Sequence, residues 1–261
     1  MTDAVQPHPS FPQPPSAEVS LWRYMDYPRF QWMVEQERLF IPTANNLGDP
    51  LEGTTPQADV DRWDRELAEA DSDDRRKTIL HNRSFLAHFA EAFRSRYYVS
   101  CWHMNAFENN VMWGAYTRTT EAVAIRTTFA NLKKNLPPFA LTGIVRYLDY
   151  SSQPLPDRTN MFEWIMHKEA LYAGECEVRA VIFPPHDEEH GLADFNAHHY
   201  TKAEDPEFRL FAPPINLSEI IQQVIVHPEA APEFREHVEA LCSSKSLPVP
   251  TQSRRHRTPV F

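Results

Sequence analysis

Apolar residues recur every three to four positions in several stretches, the spacing that gives a helix one apolar stripe. Residues 28–37 carry Phe30, Met33 and Val34 at that spacing, and Pro28 in the first turn is a helix start signal. Thr55-Pro56 opens a second helix with Val60, Trp63 and Leu67 on one stripe. The acidic stretch 71–74 interrupts the pattern and places negative charge where the next helix, 75–96, begins, as its macrodipole favours. Ile79, Leu86, Phe89 and Phe93 form the inward stripe of that helix. Residues 111–116 and 217–221 read as short helices, and 232–242 as a closing amphipathic one. Residues 160–172 also read as helix, with Met161, Ile165 and Lys168 at steps of four and three and Gly174 in the C-cap place.

Strand patterns fill the rest. Residues 20–24, 97–102, 122–129, 143–150, 176–183 and 223–227 are rich in β-branched and aromatic residues. Helices early and strands late predict an α+β class: a single domain over 20–247, with an antiparallel or mixed sheet, a split one included, flanked by helices. Residues 1–19 hold five prolines and predict an extended, disordered tail. Residues 248–261 predict a flexible basic tail, with Arg254-Arg255-His256-Arg257 as a tip that could touch an acidic partner or nucleic acid.

Composition narrows the function classes. Of 261 residues, 42% are apolar and 24% charged, ordinary for a globular domain, and no apolar run approaches the roughly 18 residues that span a bilayer. A membrane partner is therefore not expected. Three cysteines without a CxxC, and a start without a basic, then apolar, leader, predict a reducing cytoplasm and neither a disulfide framework nor a structural zinc. A net charge of -10 disfavours a general grip on nucleic acid, and six glycines supply no Gly-rich phosphate loop.

Four polar constellations are candidates for chemistry. In Leu21-Trp22-Arg23-Tyr24, strand alternation sets Arg23 opposite the two rings. There it either pairs a carboxylate or, facing a cleft, holds a phosphate or carboxylate ligand. Residues 45–53 read first as a turn, and Asp49 and Glu52 are candidates for an acidic loop at a pocket edge. Residues 99–103 carry Ser100, Cys101 and His103 as strand neighbours that need not touch, and no G-x-S-x-G elbow accompanies the serine; Trp113 and Tyr116 follow on one helical face, as core or as a base-stacking wall. Finally, Glu175, Glu177 and Arg179 share one face of a strand, either a solvated edge or a pair of carboxylates in a cleft, where neighbouring charges separate their proton affinities. His186 and His190 would share a helical face, but the flanking prolines and Gly191 read as loop, the adjacent His198 and His199 point apart, and no metal is expected.

The order of these segments resembles the bacterial domain-of-unknown-function family 2971. Asn46-Leu-Gly-Asp-Pro-Leu-Glu-Gly53 is similar to its N-D-P-F-E loop, Ser100-Cys101-Trp102 to its S-C-F segment, Met112–Tyr116 to its M-W-x-x-Y helix and Glu175-x-Glu177-x-Arg179 to its E-x-E-x-R. Gly48 stands where that loop has Asn, and Trp102 where the segment has Phe. The order Arg23, Ser100, Glu175-x-Glu177 is also similar to the Arg–Ser–Glu class of ADP-ribosyltransferases, which holds NAD in the cleft of a split sheet. That resemblance implies Arg23 on the pyrophosphate and Ser100 ordering the nicotinamide pocket. It further implies Glu177 on a ribose hydroxyl and the oxocarbenium-like transition state, Glu175 helping the acceptor, and Trp113 or Tyr116 stacking on a base. Three readings follow: an NAD-consuming transferase or glycohydrolase with a toxin or defence role, a non-catalytic domain binding a nucleotide or a protein partner, and a Mg2+-dependent hydrolase or nuclease built on Asp49, Glu175 and Glu177. Whether the chain is an enzyme is open at this level, and the most useful observation is whether Arg23, Ser100 and Glu177 converge on one concave surface.

Overall fold

The computed structural model describes residues 8–183 and 210–256. The chain runs β1 (Ser20–Asp26), α1 (Tyr27–Gln36), β2 (Ile41–Pro42), α2 (Gln57–Ala68), α3 (Asp73–Arg94), β3 (Tyr98–Met104), α4 (Asn110–Tyr116), β4 (Ala122–Thr128) and α5 (Phe129–Lys134). It continues through β5 (Leu141–Ile144), β6 (Arg146–Leu148), α6 (Glu163–Met166), β7 (His167–Glu169) and β8 (Glu177–Ile182). After residue 209 come β9 (Leu210–Phe211), α7 (Leu217–Ile220), β10 (Gln223–Val226), α8 (Pro232–Ser244) and β11 (Thr251–Gln252). Seven strands form one mixed sheet in the order β11-β10-β4-β1-β3-β8-β5, and the class is α+β, as the segment order predicts. No helix among the described residues is long and apolar enough to cross a membrane.

The sheet is continuous except at one seam. β1 pairs β4 over all seven residues, and β3 pairs β8 over six. Between β1 and β3 the ladder consists of two pairs, Leu21↔Met104 and Trp22↔His103. Beyond His103 the strands part, and the freed edge of β3 is met by the segment after β2, through a Thr43↔Tyr98 bridge and the Ala44 N–H bond to the Tyr97 carbonyl (2.8 Å). The main core lies on the face bearing Leu21, Met25 and Trp102, closed by Phe30, Met33 and Val34 of α1 and by Phe234 and Val238 of α8. Trp22, Tyr24, Met112 and Trp113 form a smaller cluster on the other face.

Both termini differ from the sequence reading. Residues 10–13 are docked rather than free: Phe11 is 1% exposed, the Pro12 carbonyl accepts the Ile144 N–H (2.8 Å), and the Gln13 amide reaches the Thr142 carbonyl (2.7 Å). The proline-fixed extended chain thus covers the outer edge of β5, a place where exposed backbone groups would otherwise invite pairing. Gly143 makes room for it, since a Cβ there would sit 2.7 Å from the Phe11 backbone. At the other end β11 pairs in parallel with β10, Ser253 is buried and Arg254 lies over the Phe107 ring at 4.3 Å, so the basic tip is tied down as far as it is described.

The reading of 160–172 as one helix also fails. Only α6 is helical; β7 then pairs in parallel with β6, and a 3-10 turn, Ala170–Glu175, leads to Cys176 at φ 42°. Residues 163–168 are all buried, so the three- and four-residue steps of Met161, Ile165 and Lys168 do not mark one wet and one dry face. The helix at 75–96 is present as α3, with Ile79, Leu86, Phe89 and Phe93 only partly buried and Ala90 its one fully buried residue.

Phe11→Ala is expected to cost about 3 kcal/mol, the usual scale for emptying a buried phenylalanine site. A urea midpoint that does not move would show that the segment is not part of the packed structure.

Candidate functional site

The seam opens into a cavity of about 420 Å³, within the range of small-molecule sites. Because β1 and β3 part, side chains from both faces of the sheet line it. Arg23 comes from the main-core face, while Cys101, His103 and Glu177 come from the other. The Arg23 guanidinium fills the mouth of the seam. It donates to Ser100 Oγ (3.3 Å) and the Phe40 carbonyl (2.7 Å) and lies 5.7 Å from the Trp102 ring centre. Among the described residues no carboxylate pairs with it. Burial pulls its pKa down to about 10, which leaves it a cation at neutral pH. Two more arginines, Arg29 over the Phe40 ring (5.4 Å) and Arg118, line the same cavity, so the Phe40 wall is cationic.

The opposite wall is anionic and tightly held. Arg179 is 0% exposed and grips both carboxylates: Glu177 through Nε (2.7 Å) and Nη2 (3.1 Å), Glu52 through Nη2 (2.8 Å) and Nη1. Its Nη1 also donates to the Ile165 carbonyl. Lys168 Nζ sits 2.8 Å from Glu175 and 3.6 Å from Glu177, and the Tyr116 hydroxyl donates to Glu175 Oε2 (2.7 Å). Burial pushes the Glu177 carboxyl up, but Arg179 and Lys168 outweigh it and hold it below the usual glutamate range. Burial also lowers Lys168, and Glu177 and Glu175 more than reverse that, so the ammonium is secured. Glu52 is pushed up by burial despite Arg179. The Cys101 thiol is driven well above its ordinary pKa, first by burial and then by the nearby Glu177 carboxylate, which makes it a poor nucleophile.

The structure sorts the sequence candidates. Arg23, Asp49, Tyr116, Glu175 and Glu177 all line the one cavity. Asp49 caps its own turn, with Oδ1 accepting the Leu51 N–H (2.9 Å) after Gly48 at φ +87°. The expected convergence of Arg23, Ser100 and Glu177 is met by two of the three, since Ser100 does not reach the cavity: it is fully buried, and its Oγ is taken by Trp102 Nε1 (2.9 Å) and Arg23, so it orients the arginine. Trp113 is corrected from base-stacking wall to core. Its ring packs edge-on against Tyr24 at 5.0 Å, and its Nε1 bonds Glu108 (3.2 Å). The i, i+3 spacing holds, but of the two rings the helix turns only Tyr116 to the cavity. Arg179 lies behind the wall, and its strand is buried at every position, so the solvated-edge reading falls while the Arg179–Glu177 pairing stands. Glu175 sits in the 3-10 turn before the strand.

Sequence reasoning missed Lys168, absorbed into a supposed helix face, and the arginines Arg29 and Arg118. Arg29 carried a signal, since a cation in the first turn of α1 opposes the helix dipole and needs another reason to be there. Among the described residues no group of three or more His, Cys, Asp or Glu could hold a metal ion; His186, His190, His198 and His199 lie outside them. No family model, curated protein or solved structure matches the chain.

Two outcomes follow from the electrostatics. Glu52→Gln, which leaves Arg179 with one charged partner, is expected to destabilise the fold by about 3 kcal/mol in urea titrations. Burial holds His103 and His167 below the ordinary histidine value of 6.5. On acidification through about 6.5 the unfolded chain therefore binds protons that the native state refuses. Stability is expected to fall from pH 7 to pH 5.5, by at most about 1.4 kcal/mol per pH unit for each histidine, with a shallower slope in His103→Gln.

Proposed function

We propose that the cavity binds an NAD-type dinucleotide and cleaves its glycosidic bond to nicotinamide, which makes the protein an NAD-consuming enzyme of ADP-ribosyltransferase or glycohydrolase type. The observation that carries this reading is the pairing, across one cavity, of an arginine without a carboxylate partner and a carboxylate kept charged by two cations. A desolvated guanidinium with free fork positions suits the pyrophosphate of a dinucleotide, and Arg29 and Arg118 add to the attraction. Glu177, anionic beside Arg179, suits a ribose hydroxyl and the positive charge that grows on the sugar as the bond breaks. In that step the C1′–N bond electrons pass to the pyridinium nitrogen, and nicotinamide leaves neutral. An oxygen of water or another acceptor then bonds C1′ and gives up its proton. Tyr116 offers a flat ring to nicotinamide. Ser100 enters only by setting Arg23.

One observation favours a second reading, a ligand-binding domain without turnover: Glu175 and Glu177 are both already engaged by Lys168 and Arg179. Nicotinamide release from NAD separates the two. Under the first reading the wild-type chain turns over, and Glu177→Gln loses at least about 100-fold in kcat. Arg23→Ala raises KM about tenfold with a smaller effect on kcat. Saturable NAD binding without nicotinamide release would establish the second reading.

A further inference from the structure

We infer that Arg29 and Arg118 form a phosphate site at the rim of the cavity, separate from Arg23, and that the dinucleotide selected there carries a 2′-phosphate, as NADP does and NAD does not. The inference rests on the NAD-cleavage reading above and adds to it the substrate class.

Three positive charges stand side by side. Arg23 and Arg29 both attach to Phe40, Arg23 to its carbonyl (2.7 Å) and Arg29 to its ring face (5.4 Å). Arg118 follows α4, and its backbone N–H is held by Asp26 Oδ1 (2.9 Å), three residues before Arg29. All three arginines line the one cavity. The Arg29 pKa is lowered first by burial and then by the charge of Arg118, so these two guanidinium groups lie close enough to repel each other. A phosphate between them turns that repulsion into two attractions.

Neither group uses its donors on the protein. Among the described residues the Arg29 and Arg118 guanidinium groups have no hydrogen bond and no ion pair. Asp26, the carboxylate beside them, gives Oδ1 to the Arg118 backbone and caps no N–H of α1. Two cations therefore meet one carboxylate, and a positive charge is left over. Arg29 also stands in the first turn of α1, where the helix dipole disfavours a cation and no acidic residue offsets it.

Depth sorts the roles of the three. Arg23 lies in the seam, whereas Arg29 and Arg118 are exposed. A dinucleotide has a fixed order of groups. With the nicotinamide ribose at Glu177 and the pyrophosphate on Arg23, the adenosine half runs outward to the rim. Adenosine itself is neutral and gives two arginines nothing to pair with. A 2′-phosphate adds a dianion at that end, and its oxygens suit the planar forks of both groups.

The test uses the whole chain and follows nicotinamide release from NAD and from NADP side by side. The wild type is expected to show a kcat/KM for NADP at least about tenfold above that for NAD, with the difference in KM. Arg29→Ala combined with Arg118→Ala is expected to weaken both substrates and to bring their ratio within about twofold of one. Arg62→Ala combined with Arg65→Ala removes the same charge from α2, outside the cavity, and is expected to keep the ratio. By calorimetry, adenosine 2′,5′-bisphosphate is expected to bind the wild type at least about tenfold more tightly than adenosine 5′-monophosphate, and to lose that margin in the Arg29 and Arg118 double variant. A wild-type ratio of one or less, a ratio that survives the loss of Arg29 and Arg118, or an equal loss in the α2 variant would each overturn the assignment while leaving dinucleotide cleavage in place. Nicotinamide release from neither dinucleotide removes the underlying reading, and this one with it. Should the Arg29 and Arg118 double variant fail to fold, judged by its urea transition, the wild-type ratio and the two adenosine phosphates decide alone.

Discussion

Arg179 is the charge around which the site is arranged. It is wholly buried, and a lone guanidinium there would cost several kcal/mol in lost hydration. Two carboxylates from distant parts of the chain, Glu52 and Glu177, together with the Ile165 carbonyl, make that burial tolerable. Each partner is thereby fixed as well. The loop ending at Gly53 is drawn against β8, segment 163–168 is held beside it, and Glu177 presents an oriented anion to the cavity. Lys168 follows from the same segment and sets Glu175. One ion cluster thus orders three stretches of chain.

The second constraint is geometric. A sheet twists, and a ladder that ends after two pairs leaves its strands diverging. Divergence here turns a backbone edge into a crevice, and Arg23 replaces the missing ladder bonds with side-chain bonds to Ser100 and Phe40. The arginine therefore bridges the seam and lines the cavity at once. Among the described residues no carboxylate pairs with that buried charge.

The longer strands of the main sheet and most helices were legible because each has a single period and a clear stop: Pro28 before α1, the 3.6-residue stripe of α8, the β-branched run of β4. Glu177 and Arg23 were legible because a charge on a buried strand must have a reason. What escaped was set by tertiary burial. Residues 163–168 are dry on every side, so no period describes them, and Lys168 vanished into a false helix. Trp113 and Tyr116 share a face by spacing, but only packing against Tyr24 decides which ring is core. Ser100 sits on the strand next to the cavity, and its neighbour Trp102 takes the hydroxyl, a competition that no spacing encodes.

The docked proline-rich segment reaches further than the edge it covers. Ser10 donates to Glu163 Oε1 (2.6 Å) at the start of the very stretch that delivers the Ile165 carbonyl and Lys168. The opening residues of the chain therefore act as a back brace for the anionic wall. A protein trimmed at its front end would loosen the grip on Glu177 from behind, without removing any residue that lines the cavity.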